Sequence, residues 1–502
     1  MLRAMSDQLS ALDATFLELE QMDEGATMHI GGVMVFDALP GGGVPSLDAV
    51  REDIAARLTL LPRYSQRLSC ERTGGLAWPS WQPDPRFDLR NHVHRAALPA
   101  PGGEAELNEW AADYFSHRLD RTRPLWEMVL VEGLEQGRWA LATKTHHALV
   151  DGVGSVDVVR LLLDDEPSPQ GAVAGGAAGG AVAEALGSIH TPRPLKPVAD
   201  LARTGVRAAS ATVHAALHPR DTLERSRSLA ELFVRDELMA APTTSLNGPI
   251  GATRRFAVVR APLPEVKALG QALGGSVNDV VLAACTTGLS RLLVARRESP
   301  PRDGLRAMVP MNVRSASERL ALGNRVSSLF VDLPVAELDS FARVREIVEH
   351  THRLKASGAA LGAATMLDLA ALAPPLLHAA VARSLYATRL FNVTITNVPG
   401  PRVALSAFGA PLLEVQPLVP LAARHAVAIA IFSYDGQLVL GLNADRDSTP
   451  DLHVLAEGVE EGFAELRELF ADEAPARAQR ITKKRSSRAH ADAGQPAQPA
   501  PR

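Results

Sequence analysis

A chain of 502 residues is about three times the length of a typical single domain, so two packed domains are expected and one small module is excluded. With 46% hydrophobic and 22% charged residues the composition is that of a folded globular chain, and a net charge of −5 offers no general attraction to polyanions, which argues against nucleic acid as a main partner. Two cysteines, Cys70 and Cys285, cannot build a disulfide framework or a cysteine-rich zinc site, and a reducing cytoplasm is the expected setting.

The opening stretch to Glu20 is polar and acidic, without the basic start and apolar run of an export signal. Met28 to Phe36 is rich in strand formers and is followed by the turn signal Pro40-Gly41-Gly42-Gly43. Leu47 to Leu61 has helical apolar spacing and stops before Pro62. Trp126 to Glu132 and Arg138 to Thr145 read as strands joined through Glu135-Gln136-Gly137 into a hairpin, and Ser155 to Leu163 suits a helix. Glycine, alanine and proline then dominate. Residues 166–194 are read as a linker between an N-terminal domain, 1–165, and a C-terminal domain, 195–474. The linker glycines match neither a dinucleotide fingerprint nor a phosphate loop. Pro197 to Leu217 resumes helical spacing. Strands are expected at Arg254–Ala261, Arg306–Val309, Val326–Leu333, Phe391–Asn397, Ala426–Ser433 and Leu438–Asn443, so the second domain is α/β as well.

The apolar stretch Leu369 to Ala382 is broken by Pro374, Pro375 and His378 and is shorter than the roughly 20 residues of a spanning helix, so membrane contact is expected to be peripheral. From Pro475, the basic residues Arg477, Arg480, Lys483, Lys484, Arg485 and Arg488 lack apolar periodicity. Residues 475–502 therefore read as a disordered basic tail, either a solubilising extension or a contact for anionic head groups.

The strongest chemical signal is His146-His147-Ala148-Leu149-Val150-Asp151-Gly152, at the end of a strand. Neighbouring strand residues point to opposite faces, and no His-x-x-x-His pair or cysteine stands nearby, which disfavours a metal site. General base catalysis fits better. A neutral imidazole can take a proton from an alcohol as it attacks an acyl carbon and return it to the leaving group. One histidine suffices for this. The other would face inward as a hydrogen-bonded core residue, with Asp151 anchoring the loop and Gly152 supplying a tight turn.

This His-His-x-x-x-Asp-Gly motif resembles the active-site motif of the bacterial wax ester synthase/diacylglycerol acyltransferase family, a branch of the CoA-dependent acyltransferases that include chloramphenicol acetyltransferase and peptide synthetase condensation domains. Pro124-Leu125-Trp126-Glu127, Ser276 to Ala283 with its Asn278-Asp279 pair, Asn397-Val398-Pro399-Gly400-Pro401, Leu9 to Asp13 and Met28 to Gly32 are similar to further elements of that family. The likeness runs to about Phe470. It implies a two-domain, chloramphenicol acetyltransferase-like α/β fold with the catalytic centre between the domains, His147 as the base and Asp151 as a structural residue. It also implies His146, Gly152 and Asn278 as active-site support, and Pro124, Leu125, Trp126 and Asp279 as candidates for substrate binding.

Each of these elements has a plainer reading. Pro124-Leu125-Trp126 could start a strand and bury an indole, Asn278 could cap a helix, and the Asn397 to Pro401 segment could form a stiff turn. Met308 to Arg314 is also suggestive, without an assignable role.

The activity implied is acyl transfer from acyl-CoA to the hydroxyl of diacylglycerol, giving triacylglycerol, with no metal or cofactor. Long-chain fatty alcohol is the alternative acceptor, and a catalytically silent lipid-binding or lipid-droplet protein is the non-enzymatic reading. The ending of the motif looks most like actinobacterial members. Lipid substrates place the protein in the cytoplasm at the periphery of the inner membrane or a lipid droplet. Leu361 to Leu390, with Arg383 and Arg389, is the candidate contact region, although a buried helical hairpin would have the same composition.

Overall fold

The computed structural model describes residues 9–69, 79–150, 158–164, 240–312, 326–356 and 390–469. In chain order these form α1 (Ala11–Met22), β1 (His29–Phe36), α2 (Leu47–Leu58), β2 (Gln66–Leu68), β3 (Trp81–Pro83), β4 (Val93–Ala97), α3 (Glu104–Ser116), β5 (Trp126–Glu132) and β6 (Trp139–His146). There follow β7 (Arg254–Pro262), α4 (Leu263–Ala272), α5 (Val277–Ala295), β8 (Leu305–Asn312), β9 (Val326–Leu333) and α6 (Ser340–Ala356). The described chain continues with β10 (Val393–Pro399), β11 (Ser406–Ala407), β12 (Ala410–Leu418), β13 (Val427–Tyr434) and β14 (Gln437–Asp445), and residues 452–469 are helical.

Two six-stranded sheets carry the fold, one in the order β11-β12-β1-β6-β5-β4 and the other β7-β14-β13-β10-β8-β9. The strands expected from alternating apolar runs are all present near their expected ends. β5 and β6 form the antiparallel hairpin, with Trp126 opposite Thr145. The expected helix from Leu47 is shorter than its apolar spacing implied. It ends at Leu58, and Pro62 opens a separate 3-10 turn, because proline cannot continue a ladder that needs its N–H.

Pairing between distant segments shapes the first sheet. β12 lies far along the chain yet pairs antiparallel with β1, with Gly31 opposite Leu418. β1 is therefore the shared neighbour of β6 and β12, and its two glycines are what let it fit. A side chain at Gly31 would strike the Thr143 carbonyl, and one at Gly32 the Gln416 carbonyl. The expected second domain thus contributes two strands, β11 and β12, to the first sheet.

α5 lies in a continuous apolar cluster with β7, β8, β9, β10, β13 and β14, including Val281, Leu289, Leu293, Ile395 and Leu440. By length and composition α5 could cross a membrane, but 78% of its most apolar window is buried in this core. A second cluster joins the sheets directly: Val33, Val129 and Ala142 of the first pack with Phe256, Val258 and Val439 of the second and with Leu107 and Phe115 of α3. Polar contacts cross the same junction. The Arg254 N–H donates to Ser116 Oγ at 3.0 Å, and the Arg254 guanidinium donates to the Gly25 carbonyl.

Several sequence expectations lie outside the described residues: Cys70, Asp151, Gly152, the linker 166–194, the helical stretch from Pro197 to Leu217, residues 361–389 with Arg383 and Arg389, and the tail 475–502. Of Ser155 to Leu163, residues 158–162 are described and helical. Val158, Leu162 and Leu163 are buried, and Arg57 ties this segment down through the Leu161 and Leu163 carbonyls and Asp164 Oδ1, the last at 2.9 Å.

Candidate active site

The two histidines stand where the β1–β6–β5 ladder ends. The His146 N–H donates to the Leu125 carbonyl at 3.0 Å, and the His147 N–H, one residue past the strand, donates to the Met28 carbonyl at 2.8 Å. The chain then turns sharply, with the Leu149 N–H donating back to the His146 carbonyl at 2.9 Å. This geometry separates the two rings. His146 is fully buried, whereas His147 is half-buried with its ring stacked on Phe16, 4.0 Å between centroids and 12° between planes.

The tautomer of His146 follows from its partners. Its Nδ1 accepts from the Ala148 N–H at 3.0 Å, so in the neutral ring the proton sits on Nε2. That Nε2 points toward Glu20 Oε2, 3.5 Å away, an electrostatic approach longer than a well-formed hydrogen bond. The other carboxylate oxygen, Oε1, stands 3.4 Å from His29 Nε2 and accepts from the Met28 N–H at 3.3 Å. His29 Nε2 is also 3.4 Å from the Leu119 N–H. One nitrogen cannot donate to the first and accept from the second, and since the buried carboxylate demands donors, we assign Nε2 as protonated.

Glu20, His29 and His146 each expose 1% or less of their surface. Burial alone would raise the Glu20 carboxyl. The nearby His146 and His29 outweigh it and hold the group well below the usual carboxylate range. Burial pushes His29 down to about 4 and lowers His146 as well, against the pull of Glu20 on both. At neutral pH the arrangement is one carboxylate facing two neutral imidazoles. Arg118 closes it from outside by donating to the Glu20, Asp23 and Ala26 carbonyls at 2.9, 2.8 and 3.4 Å, which pins the turn between α1 and β1.

The remaining candidates separate into near and far. Pro124, Leu125 and Trp126, carried as substrate-binding candidates, are instead buried. The Trp126 indole N–H donates to the Tyr64 carbonyl at 2.7 Å and its ring stacks on His92 at 4.7 Å, so it is a core residue with its one polar atom satisfied. The element reaches the site through its backbone, where the Leu125 carbonyl holds His146.

The reading of Asn278 as a helix cap is corrected. The N-cap of α5 is Ser276, not Asn278, and Asp279 completes a capping box, accepting from the Ser276 N–H at 2.7 Å. Asp279 also accepts from the hydroxyls of Ser276 and Thr351, at 2.7 and 2.8 Å, and is fully buried. Its carboxylate thus ties α5 to α6. Asn278 is half-buried and takes no part in the cap. Asn397 to Pro399 form the end of β10, and the Gly400 N–H donates to Ser433 Oγ at 3.3 Å, which makes this element the exit turn of a strand. Met308 to Asn312 lie in β8, while Val313 and Arg314 are outside the described residues.

Sequence reasoning missed Glu20, His29 and Phe16. The available signal was an acid four residues after an aromatic in the first helix, placed among the apolar residues Leu17 and Leu19. Among the described residues no three His, Cys, Asp or Glu side chains are arranged to hold a metal ion. Cys285 is buried in α5 with its thiol pushed up to about 12, which leaves it un-ionised and unfit as a nucleophile.

Residues 9–281 match the wax ester synthase/diacylglycerol acyltransferase catalytic domain, and residues 322–467 match the WS/DGAT C-terminal domain. Two probable diacylglycerol O-acyltransferases of Mycobacterium tuberculosis are similar over 471 residues. One is 34% identical, covering 92% of this chain and 96% of the relative, and the other is 32% identical, covering 92% and 99%. Among solved structures, the wax ester synthase/diacylglycerol acyltransferase from Marinobacter aquaeolei superposes with a TM-score of 0.65 at 28% identity, covering 93% of this chain and 100% of that one. The first condensation domain of the calcium-dependent antibiotic synthetase shares the fold, with a TM-score of 0.56 at 19% identity over 92% of this chain and 96% of that one. With its α/β fold and both family domains in register along the sequence, this chain belongs to the wax ester synthase/diacylglycerol acyltransferase family of acyl-CoA-dependent acyltransferases.

Proposed function

We propose that the protein transfers a fatty acyl group from acyl-CoA to the free hydroxyl of diacylglycerol, with His147 as general base, in a chloramphenicol acetyltransferase-like cleft between its two sheets. The observation that carries this reading is the contrast within the histidine pair: one ring is sealed in the core, and the next, held by its backbone to Met28, is half-buried with its plane set by Phe16. The imidazole takes the hydroxyl proton as the oxygen attacks the thioester carbonyl carbon. The tetrahedral intermediate then expels CoA thiolate, and the imidazolium returns the proton to that sulfur. The ester C–O bond forms, the C–S bond breaks and the base is regenerated. No covalent acyl-enzyme is needed, because a thiolate leaves readily and the protein's task is to place the two substrates together.

Diacylglycerol is favoured over a fatty alcohol because the two Mycobacterium tuberculosis relatives, at 34% and 32% identity, are both described as diacylglycerol O-acyltransferases. Both substrates being lipids, the protein works at a membrane or droplet surface facing the cytoplasm, with residues 361–389 and the basic tail as the candidate contacts.

The test is CoA release measured side by side with dioleoylglycerol and hexadecanol, for the wild type and for His147→Ala. Faster release with dioleoylglycerol that disappears in the variant supports the proposal. Preference for hexadecanol would make the protein a wax ester synthase, and absence of release with every long-chain acceptor alongside lipid binding would make it a lipid-binding protein. Retention of most activity in a folded His147→Ala variant rejects the general base.

A further inference from the structure

Helix α1 does more than cover the end of the first sheet. Phe16 and Glu20 lie four residues apart and so share one face. Phe16 stacks on the ring of His147, and Glu20 lies beneath His146. Burial works against the carboxylate, and it is offset by the groups brought to it, His29, His146 and the Met28 N–H. Glu20 is 1% exposed, and it sits in the last turn of its helix, where the backbone dipole disfavours negative charge, that turn holds no basic residue, and the compensating cations Arg118 and Arg121 come from another part of the chain. A local rule broken this way, under the residues that carry the chemistry, marks a functional placement.

We propose that Glu20 is a positioning residue for the acyl transfer centre, gripping the Met28 N–H and the His146 ring so that the turn after β6 presents His147 in one orientation, while Phe16 fixes the plane of its imidazole. This rests on His147 being the base. Three links carry it. Glu20 Oε1 accepts from the N–H of Met28, the residue whose carbonyl receives the His147 N–H. Glu20 Oε2 faces His146 Nε2, which keeps the proton there and leaves Nδ1 free to accept from Ala148 and close the turn. His29, opposite His146 in the β1–β6 register, faces the same carboxylate, so both strand ends are tied to one group. Lys144, a buried cation near this end of β6, is engaged elsewhere, with Glu127 and with the carbonyls of Tyr114 and His117. Arg121 and Asp13 are the remaining charged groups that act on the cluster.

The experiment compares Glu20→Gln with the wild type in CoA release at saturating and limiting acyl-CoA and acceptor, with circular dichroism and Tm recorded on the same samples. Glutamine keeps the shape but loses the charge and one acceptor. The expected result is a kcat lower by roughly 10- to 100-fold, with both KM values within about twofold and a native spectrum. A lowered Tm with kcat unchanged would show a merely structural acid and overturn the proposal. Should Glu20→Gln not fold, Phe16→Leu reads the same device. A kcat loss of roughly threefold or more at unchanged KM is expected, and no change in kcat overturns the proposal. His147→Ala runs alongside: if it retains activity, it is the general base that fails, whereas an inactive His147→Ala with a fully active Glu20→Gln rejects only the positioning role.

Discussion

Helices α1 and α5 each begin on a serine cap, Ser10 accepting from the Asp13 N–H and Ser276 from the Asp279 N–H, and each buries a carboxylate. In α5 the acid lies in the first turn, where unpaired N–H groups and the positive end of the helix dipole welcome it, and its contacts close its own helix cap and fasten α5 to α6. α1 likewise buries a first-turn acid, Asp13, but it buries a second one, Glu20, in the last turn, against the dipole, and the contacts of that acid are strand ends and histidines. The same burial of a carboxylate therefore strengthens the scaffold in one place and, in the positioning role proposed for Glu20, serves the chemistry in the other.

Acidification should separate the two regions most strongly. The folded state refuses a proton that His29 accepts when unfolded, since its folded value is about 4 against 6.5, and His146 is lowered in the same direction. Stability from this source is complete above pH 6.5 and is lost as the pH falls toward 4, by about 3 kcal/mol for His29 alone. The Glu20 contribution, present above the ordinary carboxylate range, is lost below it. Denaturant melts from pH 7 to 4 should show this slope, and His29→Gln should flatten it; equal slopes in the two proteins would refute the assignment. Next in size, Asp279→Ala should cost about 2 kcal/mol by stranding the Ser276 N–H and the Thr351 hydroxyl, while lowering kcat of the folded protein less than Glu20→Gln does. A larger loss of turnover than of stability would place Asp279 in the site after all. Ser276→Ala, losing the bond from the Asp279 N–H and the hydroxyl's own bond to the Asp279 carboxylate, should cost about 1 kcal/mol in the same melts. The smallest effect is expected at Asn278→Ala, within about 0.5 kcal/mol, because Ser276 already holds the cap; a shift of the size expected for Ser276 would contradict the assignment.

Much of the site was legible because its signal is local. Two adjacent histidines at the end of an apolar strand, followed by an aspartate and a glycine, concentrate chemistry where a chain leaves a sheet, and the β5–β6 hairpin that aims them shows in its alternating residues and turn. What supports the pair was hidden. Glu20 reads as an ordinary surface acid of an amphipathic helix until α1 is laid across β1 and β6. Trp126 had two readings, a buried indole at a strand start or a pocket residue, and Tyr64 and His92 closing around it show the burial. Asn278 was a plausible cap on type alone, yet Ser276 sits two residues earlier, where the backbone is still extended and its hydroxyl reaches the N–H of the third helical residue.

By itself the sequence determined the strands, their approximate ends, the family and the residue that acts as base in the proposed mechanism, because strand propensity, turn chemistry and a seven-residue motif act over short stretches of chain. Only the tertiary structure decided that β12 returns to pair with β1, that Asp279 fastens helices, and that one buried carboxylate faces both His29 and His146. Those outcomes depend on which distant surfaces exclude water together, and burial of a charge becomes meaningful only when the partners that compensate it have been brought to it.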